Sequence, residues 1–266
     1  MRFISAVRAA VLAAGLGFCA SSAAAQGFSG AWLDVSAGYS STSIARLDVT
    51  DLSGALTAGL PLGERLAIRG RAVERRFSDG TAFDDIRLTA LSAEADLRVT
   101  ESFGLGPLVA WSDYENGRVS VTSTYVGLQA SRLAADGPVV DVYVARGSHD
   151  GRVIDLTTNA YGATAGWAHA PWGLAVAVYG HREHWGRFDV AFSEIGVRAA
   201  LDLGRLAGLR PVILRLEAAD VRAAGTSGTA LRAGLTIPFG ARDTAVARVA
   251  AGQGRRGFFE ALPAFP

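Results

Sequence analysis

Residues 63–80 read "GERLAIRGRAVERRFSDG". Five arginines (Arg65, Arg69, Arg71, Arg75 and Arg76) fall within a dozen residues. A helix would scatter them around its circumference. A strand sorts them, because successive side chains point to opposite faces. Leu66, Ile68, Gly70 and Ala72 then share one face. Arg65, Arg69, Arg71 and Arg75 share the other with Ala67 and Val73. One apolar face and one basic face describe a strand set between two unlike media.

The same alternation recurs along the chain. "AWLDVSAGY" puts Leu33, Val35, Ala37 and Tyr39 opposite Trp32, Asp34, Ser36 and Gly38. "GPVVDVYVA", "PWGLAVAVYGH", "RPVILRLEA" and "ALRAGLTIPF" repeat it. Twelve strands are expected, at 31–40, 53–61, 65–76, 86–99, 107–114, 119–132, 138–146, 157–168, 172–182, 189–202, 210–219 and 229–239. Ten or fourteen are the neighbouring counts. The stretch 44–52 is out of phase and reads as an extension or a loop, and the fifth strand is short.

The connections alternate in character. "PLGE", "ESFGLG", "LAADGP", "HAPWG" and "GRLAGLR" are tight, whereas "SDGTAFDD", "RGSHDGRVID", "HREHWGRFD" and "AADVRAAGTSG" are longer and polar. Short turns on one rim and long loops on the other organise bacterial outer-membrane barrels. Trp167 and Trp172 flank one tight turn, and Tyr39, Tyr114, Tyr161 and Trp185 fall toward the other rim, as interface girdles would. The expected fold is therefore an all-β antiparallel transmembrane barrel. A soluble secreted β-sandwich is the alternative, and it leaves the strand lengths and the loop asymmetry unexplained.

The first residues fit this setting. Arg2 and Arg8 precede the apolar run Ala9 to Ala20, and "SSAAAQG" offers small residues for cleavage after Ala25. That is a secretory signal peptide over 1–25, leaving a barrel over 26–239 and a tail over 240–266. Cys19 is the only cysteine, and bulky Phe18 before it argues against a lipoprotein signal. The segment after Ala25 holds no cysteine, hence no disulfide and no thiolate metal site. Losing Arg2 and Arg8 takes the formal charge from +1 to −1, so no basic field invites nucleic acid.

The last expected strand, "RAGLTIPF", combines Arg232, Gly234, Ile237 and Phe239. It resembles the C-terminal β-signal of bacterial outer-membrane barrel proteins. The resemblance implies recognition by the barrel assembly machinery, a diderm outer membrane and contact with its lipids. Such chains usually end at that aromatic, whereas residues 240–266 follow here. Their Gly, Pro and mixed charges fit a disordered periplasmic extension. A segment that plugs or caps the barrel is the alternative.

If the apolar faces meet lipid, the alternate faces line the lumen. Asp34, Arg65, Arg69, Arg71, Glu94, Asp96, Arg98, Asp141, Glu194, Arg198, Arg215, Glu217 and Arg232 then point inward. Arginine on the lipid face at mid-membrane costs about 2–4 kcal/mol. Arg69 and Arg71 face the returning Glu94 and Asp96, and closure should bring Asp34 near Arg232. Two readings follow. A narrow channel for small polar solutes would select with Arg69, Arg71, Glu94, Asp96, Arg198 and Arg232. A structural or loop-presenting barrel would have these charges, Tyr143, Tyr179 and Trp32 fill its lumen.

Catalysis has little support. An outer-leaflet lipid hydrolase needs a serine beside a base. His149 is followed by Asp150 and Gly151, with no serine two residues on. His181, Glu183 and His184 read as solvated rim residues rather than metal ligands, and His169 sits in a tight turn. No catalytic residue, metal or cofactor is expected.

Overall fold

A sheet with one apolar and one charged face must put each against its own medium, and closing it on itself does so without leaving an edge. The computed structural model describes residues 30–44, 47–78, 86–100, 102–116, 119–151, 155–185, 188–241 and 243–252. Twelve strands form a closed antiparallel barrel in which each pairs with its sequence neighbours and β1 pairs with β12. They are β1 (Trp32–Ile44), β2 (Leu47–Pro61), β3 (Leu66–Ser78), β4 (Ile86–Arg98), β5 (Phe103–Asn116) and β6 (Val119–Leu133). The second half comprises β7 (Asp136–Gly151), β8 (Asp155–His169), β9 (Trp172–Trp185), β10 (Phe188–Asp202), β11 (Ile213–Ala223) and β12 (Thr226–Gly240). Two short helices follow β10 and β12: α1 (Leu203–Leu206) and α2 (Ala245–Ala251).

All twelve expected strands are present, and most run further than their alternation suggested. Leu47 to Leu52 belong to β2, and the fifth strand spans fourteen residues. The expected loop asymmetry does not survive. "RGSHDGRVID" and "HREHWGRFD" are largely the ends of β7, β8, β9 and β10, so the gaps there are only 152–154 and 186–187. The longest connection, 203–212, lies on the rim expected to carry tight turns. Polar residues facing a lumen or water leave the backbone ladder intact, so polarity alone did not mark a loop.

The outer face is apolar. Ile68, Leu105, Val109, Val126, Leu128, Val144, Leu174, Val176, Val197, Leu216 and Leu235 are all exposed. The twelfth-strand residues Ile237 and Phe239 are exposed too, beside the β1 closure, where Val35 faces Ile237 and Gly38 faces Gly234. Tyr39, Tyr161, Trp167 and Trp172 are exposed as girdle residues should be. Tyr114 is buried and packs inside with Phe77, Ile86, Leu88 and Val121. The Trp185 side chain lies outside the described residues.

The lipid-facing reading makes a prediction at Val176, four residues into β9 from Trp172 and 49% exposed. Val176→Arg should cost about 2–4 kcal/mol if that position meets hydrocarbon. Denaturant titration of the protein folded into lipid vesicles measures it. A cost near zero would place this face in water.

Candidate functional site

Alternation fixes which side chains enter the barrel, and the register decides which of them meet. Asp34, Arg69, Glu94, Asp96, Asp141, Glu194, Arg198 and Glu217 are buried, and Arg71, Arg215 and Arg232 are partly so, all on the inward phase. Two expected lining residues are not inside. Arg65 lies in the turn before β3 and is exposed; Arg98 ends β4 at the same rim, also exposed. Arg65 precedes the β3 ladder, and Arg98 is the last rung of β4, opposite Gly104.

The inward charges form three connected groups. In the first, Arg69 lies opposite Glu94 in the β3–β4 register. Its Nη2 reaches Glu94 Oε2 and Asp96 Oδ2, each at 2.9 Å, and donates to Gln129 Oε1 at 2.9 Å. The expected Arg69 pairing with the returning carboxylates is therefore present. Arg71 instead donates to Thr57 Oγ1 at 3.0 Å.

The second group crosses β10, β11 and β12. Arg232 donates to both oxygens of Glu194, at 2.8 and 2.6 Å, and to Glu217 at 3.0 Å. Arg198 donates from Nε to Glu217 at 3.0 Å and from Nη2 to Tyr179 OH at 3.0 Å. Arg198 is 0% exposed. In the third, Arg75 holds Asp51 with two bonds, at 3.1 and 2.6 Å, and Ser40 also donates to that carboxylate.

Asp34 does not meet Arg232. The β1–β12 register sets Asp34 opposite Pro238 and Arg232 opposite Ser40. The partner of Asp34 is Arg248, on α2, which donates to its two oxygens at 2.9 and 2.8 Å. The Arg248 guanidinium also lies 4.2 Å from the centre of the Trp32 ring, a cation–π contact.

Helix α2 is therefore inside the barrel, where the sequence had favoured a periplasmic tail over 240–266. All seven of its residues are buried. Val246, Val249 and Ala250 pack with Ala200 and Ile213, and Ala247 and Ala251 pack with Val139 and Ala168. Its alanines and valines let a seven-residue helix fit against a sheet wall. Gly252 ends it at φ +64°, where a Cβ would come within 2.0 Å of Arg198 Nη1. The same Nη1 donates to Ala250 O at 3.2 Å, tying helix to wall. Residues 253–266 lie outside the described residues.

The helix occupies the β7–β11 side of the rim where β1 begins and β12 ends. On the β1–β6 side a cavity of about 260 Å³ remains, lined by Trp32, Arg69, Asp96, Arg98, Phe103 and Arg248 among others. Deeper in, Asp34, Arg71, Arg215, Thr236 and Gly252 surround a polar void of about 20 Å³. The lumen wall is thus two-sided. Tyr125, Tyr143 and Tyr179 pack with Leu108 and alanines along β5–β9. Charges dominate from β10 round to β4.

The histidines correct a further expectation. His149 and His181 are buried wall residues, not solvated ones. His149 Nδ1 lies 2.6 Å from Ser123 Oγ, and its Nε2 lies 2.5 Å from Thr158 Oγ1 and 4.0 Å from Glu183 Oε1. Glu183 Oε1 is 3.2 Å from His181 Nε2. The missing serine is thus supplied from a neighbouring strand, which no spacing along one strand could reveal. The arrangement has a nucleophile, a base and a carboxylate, but Ser123 and His149 are packed among Tyr125 and Thr158. His184 is exposed on the opposite phase from His181 and Glu183, so the three do not converge. Among the described residues no group of three or more such side chains could hold a metal.

No family model matches the sequence, and no curated relative is found. Solved structures do resemble it. The COG4313 outer membrane channel from Pseudomonas putida F1 superposes with a TM-score of 0.58 at 12% identity, over 79% of this chain and 95% of that one. The translocator domain of autotransporter NalP from Neisseria meningitidis gives 0.48 at 12%, over 88% and 98%. The KdgM porin gives 0.44 at 9%, over 77% and 99%.

Proposed function

We infer that this chain, whose fold is that of bacterial outer-membrane β-barrels, sits in an outer membrane. We propose that this barrel is a narrow, passive channel for small hydrophilic solutes, held shut by its own helix α2, and that it carries out no chemistry. One observation carries the reading: α2 is fixed to the wall by the Arg248–Asp34 ion pair rather than by apolar packing alone. An ion pair can exchange partners with water and solute, whereas a buried apolar plug cannot do so without large cost. The passage would follow the charged side of the lumen, past Arg71 and Arg215 toward Arg75 and Asp51. Its three arginines against one aspartate favour anionic solutes.

A second reading keeps the lumen permanently filled. The completely buried Arg198, bonded to wall and helix alike, favours it. Planar-bilayer recording of the purified intact chain separates the two. A gated channel gives brief, infrequent conductance steps as α2 leaves and returns. Silence at every applied voltage, in preparations shown to be folded by a heat-dependent gel shift, overturns the channel.

A further inference from the structure

We propose that the cavity beside α2 is a binding site for a small monocarboxylate with an apolar body. Its walls differ in kind. Trp32, Leu60, Pro61, Phe103 and Leu133 give an apolar lining; Arg69, Arg98 and Arg248 bring three guanidinium groups to it. Asp96 is the one carboxylate among the described lining residues, and its oxygens already accept from Arg69 and Gln129. A cation entering here would find no carboxylate unengaged; an anion would find donors.

Arg69 is the reason to expect a carboxylate. It is 6% exposed, and a single nitrogen, Nη2, serves Glu94, Asp96 and Gln129 together. Among the described residues its Nε and Nη1 have no hydrogen-bond partner. Buried guanidinium donors without acceptors are rare in folded proteins, and where they occur a ligand often completes them. Both nitrogens lie just behind the cavity wall that Arg69 lines, so a small turn of the guanidinium would bring Nη1 to a carboxylate oxygen through a charge-assisted bond. Exposed Arg98 at the lip would draw the anion in, and the apolar wall would cover the rest of the molecule. A fully hydrated dianion such as phosphate would leave that wall uncovered. The volume, near the lower end for small-molecule sites, admits a body about the size of one aromatic ring.

The site needs no conduction, since a barrel that never opens would bind the same ligand. Benzoate is the probe, with benzamide as its neutral counterpart of the same shape. Titration calorimetry on the intact chain in detergent, blanked against empty micelles, is expected to show one benzoate per barrel. Benzamide should bind roughly tenfold more weakly, the loss of one charge-assisted interaction. Arg69→Met should abolish benzoate binding. Because that change also disturbs the Glu94–Asp96–Gln129 group, Ser131→Leu fills the cavity while keeping Arg69. It too should abolish binding. No benzoate binding by the intact chain, equal affinity for benzamide, or undiminished binding in folded Ser131→Leu would each overturn the site. Binding by a barrel silent in bilayers would leave this site standing and remove the channel, and conduction without binding would do the reverse.

Discussion

A chain ended at Gly240 is expected to conduct steadily where the intact chain conducts only in brief events. Removing α2 opens the β7–β11 half of the rim and uncovers Val139, Ala168, Ala200 and Ile213, which are otherwise sealed by its alanines and valines. The twelve-strand ladder is closed by β1 and β12 before α2 begins, so the barrel should still form. Asp34 loses Arg248 but gains the water that enters in its place, and an exposed carboxylate carries little penalty. A milder version tests the latch alone. Asp34→Asn leaves Arg248 inside without its counter-charge, a change that costs about 3–5 kcal/mol in buried pairs. Even about 3 kcal/mol, spent on the closed state only, raises the open population roughly a hundredfold. Bilayer recordings on both variants supply the measurement. A truncated barrel that is folded, by its heat-dependent gel shift, yet remains silent would show that Tyr125, Tyr143, Tyr179 and the charge groups close the lumen without help.

The parts of this arrangement that the sequence revealed share one cause. Placing a charge in hydrocarbon is costly, so the phase of strands such as β3, β10 and β11 is written in which mid-strand residues are charged. Arg69, Arg198 and Glu217 could be assigned inward from their neighbours alone. The partners were less legible. The distance from Asp34 to Arg232 depends on the β1–β12 register, which is set by the ladder as a whole and not by any local signal. Arg248 and Asp34 are 214 positions apart, and "AVARVAA" on its own is too short to stand as a helix in water. Only the wall it packs against makes it one. The same limit hid Ser123 from His149, since cross-strand neighbours carry no mark in the sequence.

Glu217→Ala is expected to be among the most destabilising single changes in the barrel. Glu217 accepts from Arg198 with one oxygen and from Arg232 with the other. Arg232 retains Glu194 when Glu217 goes. Arg198 loses its Glu217 bond and keeps those to Tyr179 OH and Ala250 O while remaining completely buried. Removing one partner of a buried ion pair costs about 3–5 kcal/mol. The Asp220–Arg222 pair gives the contrast, because Arg222 is 72% exposed and Arg222→Ala should cost no more than about 1 kcal/mol. Denaturant unfolding from lipid vesicles, followed by tryptophan fluorescence, compares the two directly. Replacing both partners, with Arg198→Met and Glu217→Leu together, should recover much of the loss, since an apolar pair of similar volume needs no counter-charge. If Glu217→Ala proves no worse than Arg222→Ala, water reaches Arg198 in the folded barrel. The charged side of the lumen would then be wet, and the case for a filled interior would fall with it.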